Sequence, residues 1–236
     1  MVIRAFGFLT VVGRSTPPDG STLEWFPLVG AIIGLVVGGV WYGAEHLWPR
    51  GPAAALAVAA DLAITGMLHF DGLTDTADGV LPHMERARRL SVMSEPTIGA
   101  FGLGVAVVVL LLRWTSFAVV TPNVLLIAGI WCASRTVMAV TARIVPYARE
   151  GGGLASRFIG TRRWVAVGAI GVLSSFGLGI LADRGIGALA IGVAFLTGAA
   201  VVAFCRVRLG GFTGDVLGAA GLLAETMGLL LAAAKW

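Results

Sequence analysis

The residues richest in chemical potential form one short run, His69-Phe70-Asp71-Gly72-Leu73-Thr74-Asp75-Thr76-Ala77-Asp78-Gly79. At about 100° per residue, a helix through this run sets Asp71, Asp75 and Asp78 within roughly 60° of one another on one face. Three carboxylates that close repel, and no Lys or Arg stands three or four residues away to compensate. Hard oxygen donors at this spacing suit Mg²⁺, which takes a few carboxylates and completes its shell with water and substrate phosphate. The same residues would also serve as a solvated helix start with Asp71 as N-cap, or as part of a cation pathway, so spacing alone leaves three readings open.

Two further segments carry groups suited to anions. Gly151, Gly152 and Gly153 lie between Arg149 and Arg157, so a pliant run is flanked by guanidiniums able to grip phosphate oxygens. Gly210-Gly211-Phe212-Thr213-Gly214-Asp215 delivers Thr213 and Asp215 to a helix N-terminus, either as a plain cap or as an anion site that aims Asp215 at a shared cation. Arg135, inside an apolar stretch, is too costly to face lipid and should meet a negative partner or a ligand phosphate. Glu225 is expected to pair with Arg135 or Arg113, or to be protonated. His69 reads as a supporting or interfacial polar group, and Asp61 as a buried acid without a specific role.

The elements that position these residues are membrane helices. Of 236 residues, 57% are hydrophobic and 13% charged, against about a quarter charged in soluble domains. Stretches at about 27–48, 53–70, 98–120, 123–143, 165–182, 186–204 and 216–234 approach the ~20 apolar residues that a bilayer crossing needs. The expected fold is all-α, a polytopic integral membrane bundle of about seven transmembrane helices forming one domain over 1–236. Residues 3–12 are too short to cross and read as an interfacial helix of a retained N-terminus rather than a signal peptide. Cys132 and Cys205 lie in apolar stretches and support neither a disulfide framework nor a thiolate metal site.

Arginine supplies 16 of the 17 basic residues, so the net charge of +4 reads as membrane-surface bias and phosphate recognition, not as nucleic-acid binding. Twelve basic residues fall in the N-terminus and the loops after the second, fourth and sixth stretches, against three on the other side. That asymmetry puts the N-terminus and the three longer loops in the cytoplasm of a cell (inner) membrane. Gly30, Gly34 and Gly38 line a groove for another helix, of this chain or of a second copy in a homo-oligomer. The acidic run, both glycine-arginine segments and Asp215 all fall on the cytoplasmic side. A transporter gathers its polar groups near the midplane, so this placement favours an enzyme acting on a phosphate-bearing substrate.

The chain also resembles the cobalamin synthase family, the adenosylcobinamide-GDP ribazoletransferases. The resemblance rests on Phe26-Pro27-Leu28-Val29-Gly30, on His69 through Gly79, on Ser134-Arg135, on Tyr147-Ala148-Arg149-Glu150 with Phe158-Ile159-Gly160, and on Gly210 through Ala220. It implies a Mg²⁺-dependent transferase late in B12 assembly that joins adenosylcobinamide-GDP to α-ribazole or its 5′-phosphate and releases GMP. Carried over, Asp71, Asp75 and Asp78 become the metal and base cluster, with Asp215 a further ligand or orienting group. Arg135, Arg149 and Arg157 become phosphate contacts, and Thr213 and Gly214 touch substrate. Ser94-Glu95-Pro96-Thr97 departs from the family pattern by lacking its basic residue, so a phosphate contact there would fall to Arg86 or Arg88. Two alternatives remain: a CDP-alcohol-type phosphotransferase, whose Asp-Gly-x-x-Ala-Arg pattern is missing because Leu73-Thr74-Asp75 follows Gly72, and a cation-coupled transporter using Asp61, the aspartate run and Glu225.

Overall fold

The computed structural model describes residues 1–12, 19–150 and 164–235. Among these the chain is built from ten α-helices: α1 (Val2–Leu9), α2 (Phe26–Glu45), α3 (Arg50–Ile64), α4 (Leu68–Val80), α5 (Arg86–Val92), α6 (Ala100–Val119), α7 (Val124–Ile144), α8 (Trp164–Ala182), α9 (Ile186–Leu209) and α10 (Gly214–Ala232). Local chemistry sets several of their ends. Pro27 sits in the first turn of α2, where no N–H is needed. Asn123 caps α7 by accepting from the Leu126 N–H at 3.2 Å, and Thr213 caps α10 by accepting from the Val216 N–H at 3.2 Å.

The apolar helices make this a polytopic membrane protein. Six of them are long and apolar enough to cross a bilayer: α2, α6, α7, α8, α9 and α10. The expected span over 53–70 is not one helix. α3 stops at Ile64 and α4 sets off from Leu68 at 88° to it. Fifteen residues at about 1.5 Å each reach only ~22 Å, short of a ~30 Å hydrocarbon core. The corner is made by two consecutive left-handed residues, Gly66 (φ 57°) and Met67 (φ 60°). Thr65 donates back to the Asp61 carbonyl at 2.7 Å, and the Val11 N–H reaches the Ile64 carbonyl at 2.8 Å, so the chain after α1 satisfies the end of α3. A side chain at Gly66 would lie 2.6 Å from Val11.

α7 is the hub, buried along most of its length and flanked by α2, α8, α9 and α10. The small-residue face of α2 is spent inside the chain: a Cβ on Gly34 would lie 2.7 Å from the Ala128 Cα. This corrects the subunit-interface reading of Gly30, Gly34 and Gly38, because backbone contact with α7 leaves that groove no room for a second copy.

Four charges lie at the centre of the bundle, all at most 2% exposed: Asp61, Arg113, Arg135 and Glu225. Arg113 donates to Asp61 Oδ2 at 2.6 Å and to Glu225 Oε2 at 3.1 Å, while Arg135 Nη1 pairs with Glu225 Oε1. Trp131 Nε1 donates to the other Asp61 oxygen at 2.8 Å, Ser134 donates to Glu225 Oε1 at 2.8 Å, and the Arg113 guanidinium lies over the Trp131 ring at 5.0 Å. Two positive and two negative charges cancel, and every carboxylate oxygen is bonded, as burial of ions in low dielectric demands. Glu225 is thus paired with both arginines, and Asp61 has a role.

Candidate active site

α4 lies across one end of the bundle against α10, and the two backbones nearly touch. A Cβ on Gly72 would be 2.8 Å from the Asp215 carbonyl oxygen. This contact brings the acidic run beside the Thr213-Gly214-Asp215 turn, two segments 140 residues apart in sequence. The turn is held by a small backbone clamp. The Phe212 N–H donates to the Pro146 carbonyl at 2.9 Å, the Ala148 N–H to the Phe212 carbonyl at 2.8 Å, and the Tyr147 and Phe212 rings meet edge to face at 5.4 Å. Burial pushes the Tyr147 phenol above its ordinary range, with Arg149 acting the other way. The clamp delivers Arg149, whose Nη2 donates to Asp215 Oδ2 and to the Met93 carbonyl, each at 3.2 Å, while Nη1 reaches the Ser94 hydroxyl.

The four aspartates are not equivalent. Among the described residues, no side-chain hydrogen bond or ion pair engages Asp71 or Asp75. They lie one turn apart and line a groove of about 530 Å³ with Thr74, Ser94, Glu95 and Thr97. The charges of Asp71, Asp215 and Asp78 all bear on Asp75, with Arg149 the opposing cation. Asp71 is not the cap of α4, since Met67 occupies that position. Asp78 shares their side of the helix but is buried, and both its oxygens accept backbone N–H groups at the start of α6, from Gly99 at 2.7 Å and Gly102 at 2.8 Å. Its carboxylate is thereby turned to α6, a correction to its expected place beside the other two. Asp215 accepts from Thr213 Oγ1 at 3.1 Å as well as from Arg149, both on Oδ2. Among the described residues, no group of three His, Cys, Asp or Glu side chains converges tightly enough to hold a metal ion. Two unengaged carboxylates nonetheless fit Mg²⁺, which commonly takes one or two protein carboxylates and leaves its other positions to water and phosphate.

The expected phosphate contacts separate. Arg149 reaches the site. Arg135 does not, being wholly buried and committed to Glu225 and Ser134, which corrects its reading as a substrate contact. Arg157 and the glycines at 151–153 lie outside the described residues. Arg86 is a tie, donating to the Leu209 carbonyl at 2.7 Å and the Ala148 carbonyl at 3.0 Å, and Arg88 pairs with Glu95 at 2.8 Å. Thr213 is fully buried and acts by capping α10 and holding Asp215. Gly214 lines a second cavity, of about 200 Å³, walled by α1, α2, α4, α7 and α10 and bordered by His69, Asp71 and Asp215. His69 is buried rather than interfacial, and its Nδ1 lies 3.4 Å from Arg135 Nη2. A guanidinium only donates, so Nδ1 accepts and the proton of the neutral ring sits on Nε2.

Sequence reasoning missed the anchoring of Arg149 by Met93 and Ser94. It also missed Arg89, which donates to the Gly79 and Val80 carbonyls at 2.9 and 2.8 Å and so finishes α4. A basic residue nine or ten positions after the Gly79-Val80 end of the helix was the available signal.

Comparison with known proteins agrees along the chain. The family model described as CobS, cobalamin-5-phosphate synthase, matches residues 1–233. A curated protein of Chlorobium phaeovibrioides called adenosylcobinamide-GDP ribazoletransferase is 35% identical over 231 residues, covering 94% of this chain and 91% of the relative. A protein of the same name from Chlorobaculum tepidum is 34% identical, covering 98% and 92%, and one from Leptothrix cholodnii is 36% identical, covering 87% and 84%. No solved structure matches the chain.

Proposed function

Because the chain belongs to the cobalamin-5-phosphate synthase family, we propose that it is a membrane transferase that joins adenosylcobinamide-GDP to α-ribazole or its 5′-phosphate at the groove between α4 and α10. The observation that carries this reading is the pair Asp71 and Asp75, unengaged by any described side chain and set beside Asp215 and Arg149. Membership of the cobalamin-5-phosphate synthase family in particular, matched over residues 1–233, favours this reading over the CDP-alcohol-type phosphotransferase and the transporter.

The acceptor's ribose hydroxyl oxygen bonds to the phosphorus on the corrinoid's arm. The bond from that phosphorus to the bridging diphosphate oxygen breaks, and GMP leaves with the electron pair. Asp215 Oδ2 is occupied by Thr213 and Arg149, so Oδ1 is the oxygen left to receive the hydroxyl proton. Arg149 at the rim, about one quarter exposed, holds a phosphate oxygen of the donor. Asp71 and Asp75 would hold Mg²⁺, whose charge offsets that developing on the transferring phosphoryl group. The distribution of the arginines supports a groove on the cytoplasmic side of the cell membrane.

The test is product formation by the protein purified in detergent. Incubation with adenosylcobinamide-GDP and α-ribazole should release one GMP per cobalamin formed, and only when both substrates are present. GMP release without α-ribazole, or no joined product, contradicts the proposal.

A further inference from the structure

Asp71 borders two cavities. One is the 530 Å³ groove already described. The other, about 200 Å³, has a different character: Phe8 of α1, Phe26 of α2, Leu68 of α4 and Met138 of α7 wall it, and its polar side chains are His69, Asp71 and Asp215. Phe8 and Phe26 lie nearly parallel, ring centroids 5.9 Å apart.

We propose that this smaller cavity is the acceptor's base-binding subsite, receiving the flat aromatic base of the nucleoside while its ribose meets Asp71 and Asp215 at its polar border. The inference rests on the proposed transfer reaction and assigns one of its two substrates to a place.

Size and chemistry both select the occupant. A dry cavity of about 150 Å³ lined by Leu, Ile and Phe takes up a benzene ring, so about 200 Å³ suits a somewhat larger flat ring system. A corrin macrocycle is several times too big. Guanine would fit by size, but its amino, carbonyl and ring N–H groups are spread around the ring, and those turned from His69, Asp71 and Asp215 would be stranded against Phe8, Phe26, Leu68 and Met138. Buried polar groups left without partners cost about 1–3 kcal/mol each. The benzimidazole of ribazole carries no exocyclic polar group, and only its one unsubstituted ring nitrogen, an acceptor, needs a partner there. The position is right as well. A base seated among those four side chains extends its ribose toward Asp215, the proposed proton acceptor, and Asp71 separates it from the polar groove that remains for the diphosphate donor.

Two substitutions in opposite senses test this. Leu68 borders the cavity and is 42% exposed, so Leu68→Trp narrows the cavity without overpacking a closed core. Phe8→Ala widens it. Leu68→Trp should raise KM for α-ribazole at least tenfold while KM for adenosylcobinamide-GDP stays within twofold. Phe8→Ala should shift preference toward a ribazole analogue with a tricyclic base by at least fivefold. Unchanged acceptor KM in both variants, or a rise in donor KM instead, overturns the assignment. Equilibrium binding of α-ribazole alone to the detergent-purified proteins separates this from the reaction itself. If the unsubstituted protein binds α-ribazole and Leu68→Trp weakens that binding tenfold, the subsite stands even where no product forms. If both proteins bind it equally, the subsite falls even where turnover is normal.

Discussion

Asp71 and Asp75 stand one helical turn apart with no described side chain hydrogen-bonded or ion-paired to either, and the proposed function gives them a cation brought with the substrate phosphates as counter-charge beside Arg149. Asp71→Asn or Asp75→Asn should therefore lower kcat by about 100-fold, about 3 kcal/mol of charge stabilisation, measured as GMP release with unchanged secondary structure. Asp78→Asn should behave differently. It keeps one carbonyl oxygen for two N–H groups of α6, so it should cost about 1 kcal/mol of stability, read as a lower melting temperature in detergent, and spare most of the turnover. Helical periodicity made Asp71 and Asp75 legible in the sequence, since their relation is local. The commitment of Asp78 was not legible, because its partners lie 21 and 24 residues on and only the approach of α6 defines them. The same holds for Arg135: cost in lipid placed it inside, but ligand and Glu225 were equally good partners until α10 was in position.

At the scale of elements, α3, α6, α7 and α10 are joined by the buried quartet of Asp61, Arg113, Arg135 and Glu225. Removing one member strands the others. Arg113→Met should destabilise the protein by about 3–5 kcal/mol, seen as a sharp fall in thermal stability, with KM for both substrates near normal in the protein that remains folded. The six long spans follow directly from apolar length. The corner between α3 and α4 did not show, because the apolar run from 53 to 70 continues through it and hydropathy does not register the left-handed pair Gly66 and Met67. That corner matters to function, since it lays α4 across the end of the bundle, where Gly72 meets Asp215.

For the whole molecule, the distribution of arginine predicts sidedness. A cysteine replacing Arg88, whose side chain is 60% exposed, should resist an impermeant thiol reagent in intact cells, while one replacing Leu47 at the far end of α2 should be labelled. The reverse pattern would invert the topology. The glycine face of α2 was visible as a close-packing face, but whether α7 or a second copy filled it depended on the path of the chain. The account as a whole depends on the α4–α10 groove being the place where a cation supports phosphoryl transfer. The most direct test is the Mg²⁺ dependence of GMP release by the unsubstituted protein and by Asp75→Asn, with both substrates saturating. The account predicts saturable activation by Mg²⁺ in the first, and in the second a rate about 100-fold lower with half-activation moved to higher Mg²⁺. Equal rates with the same Mg²⁺ dependence in the two proteins would contradict it.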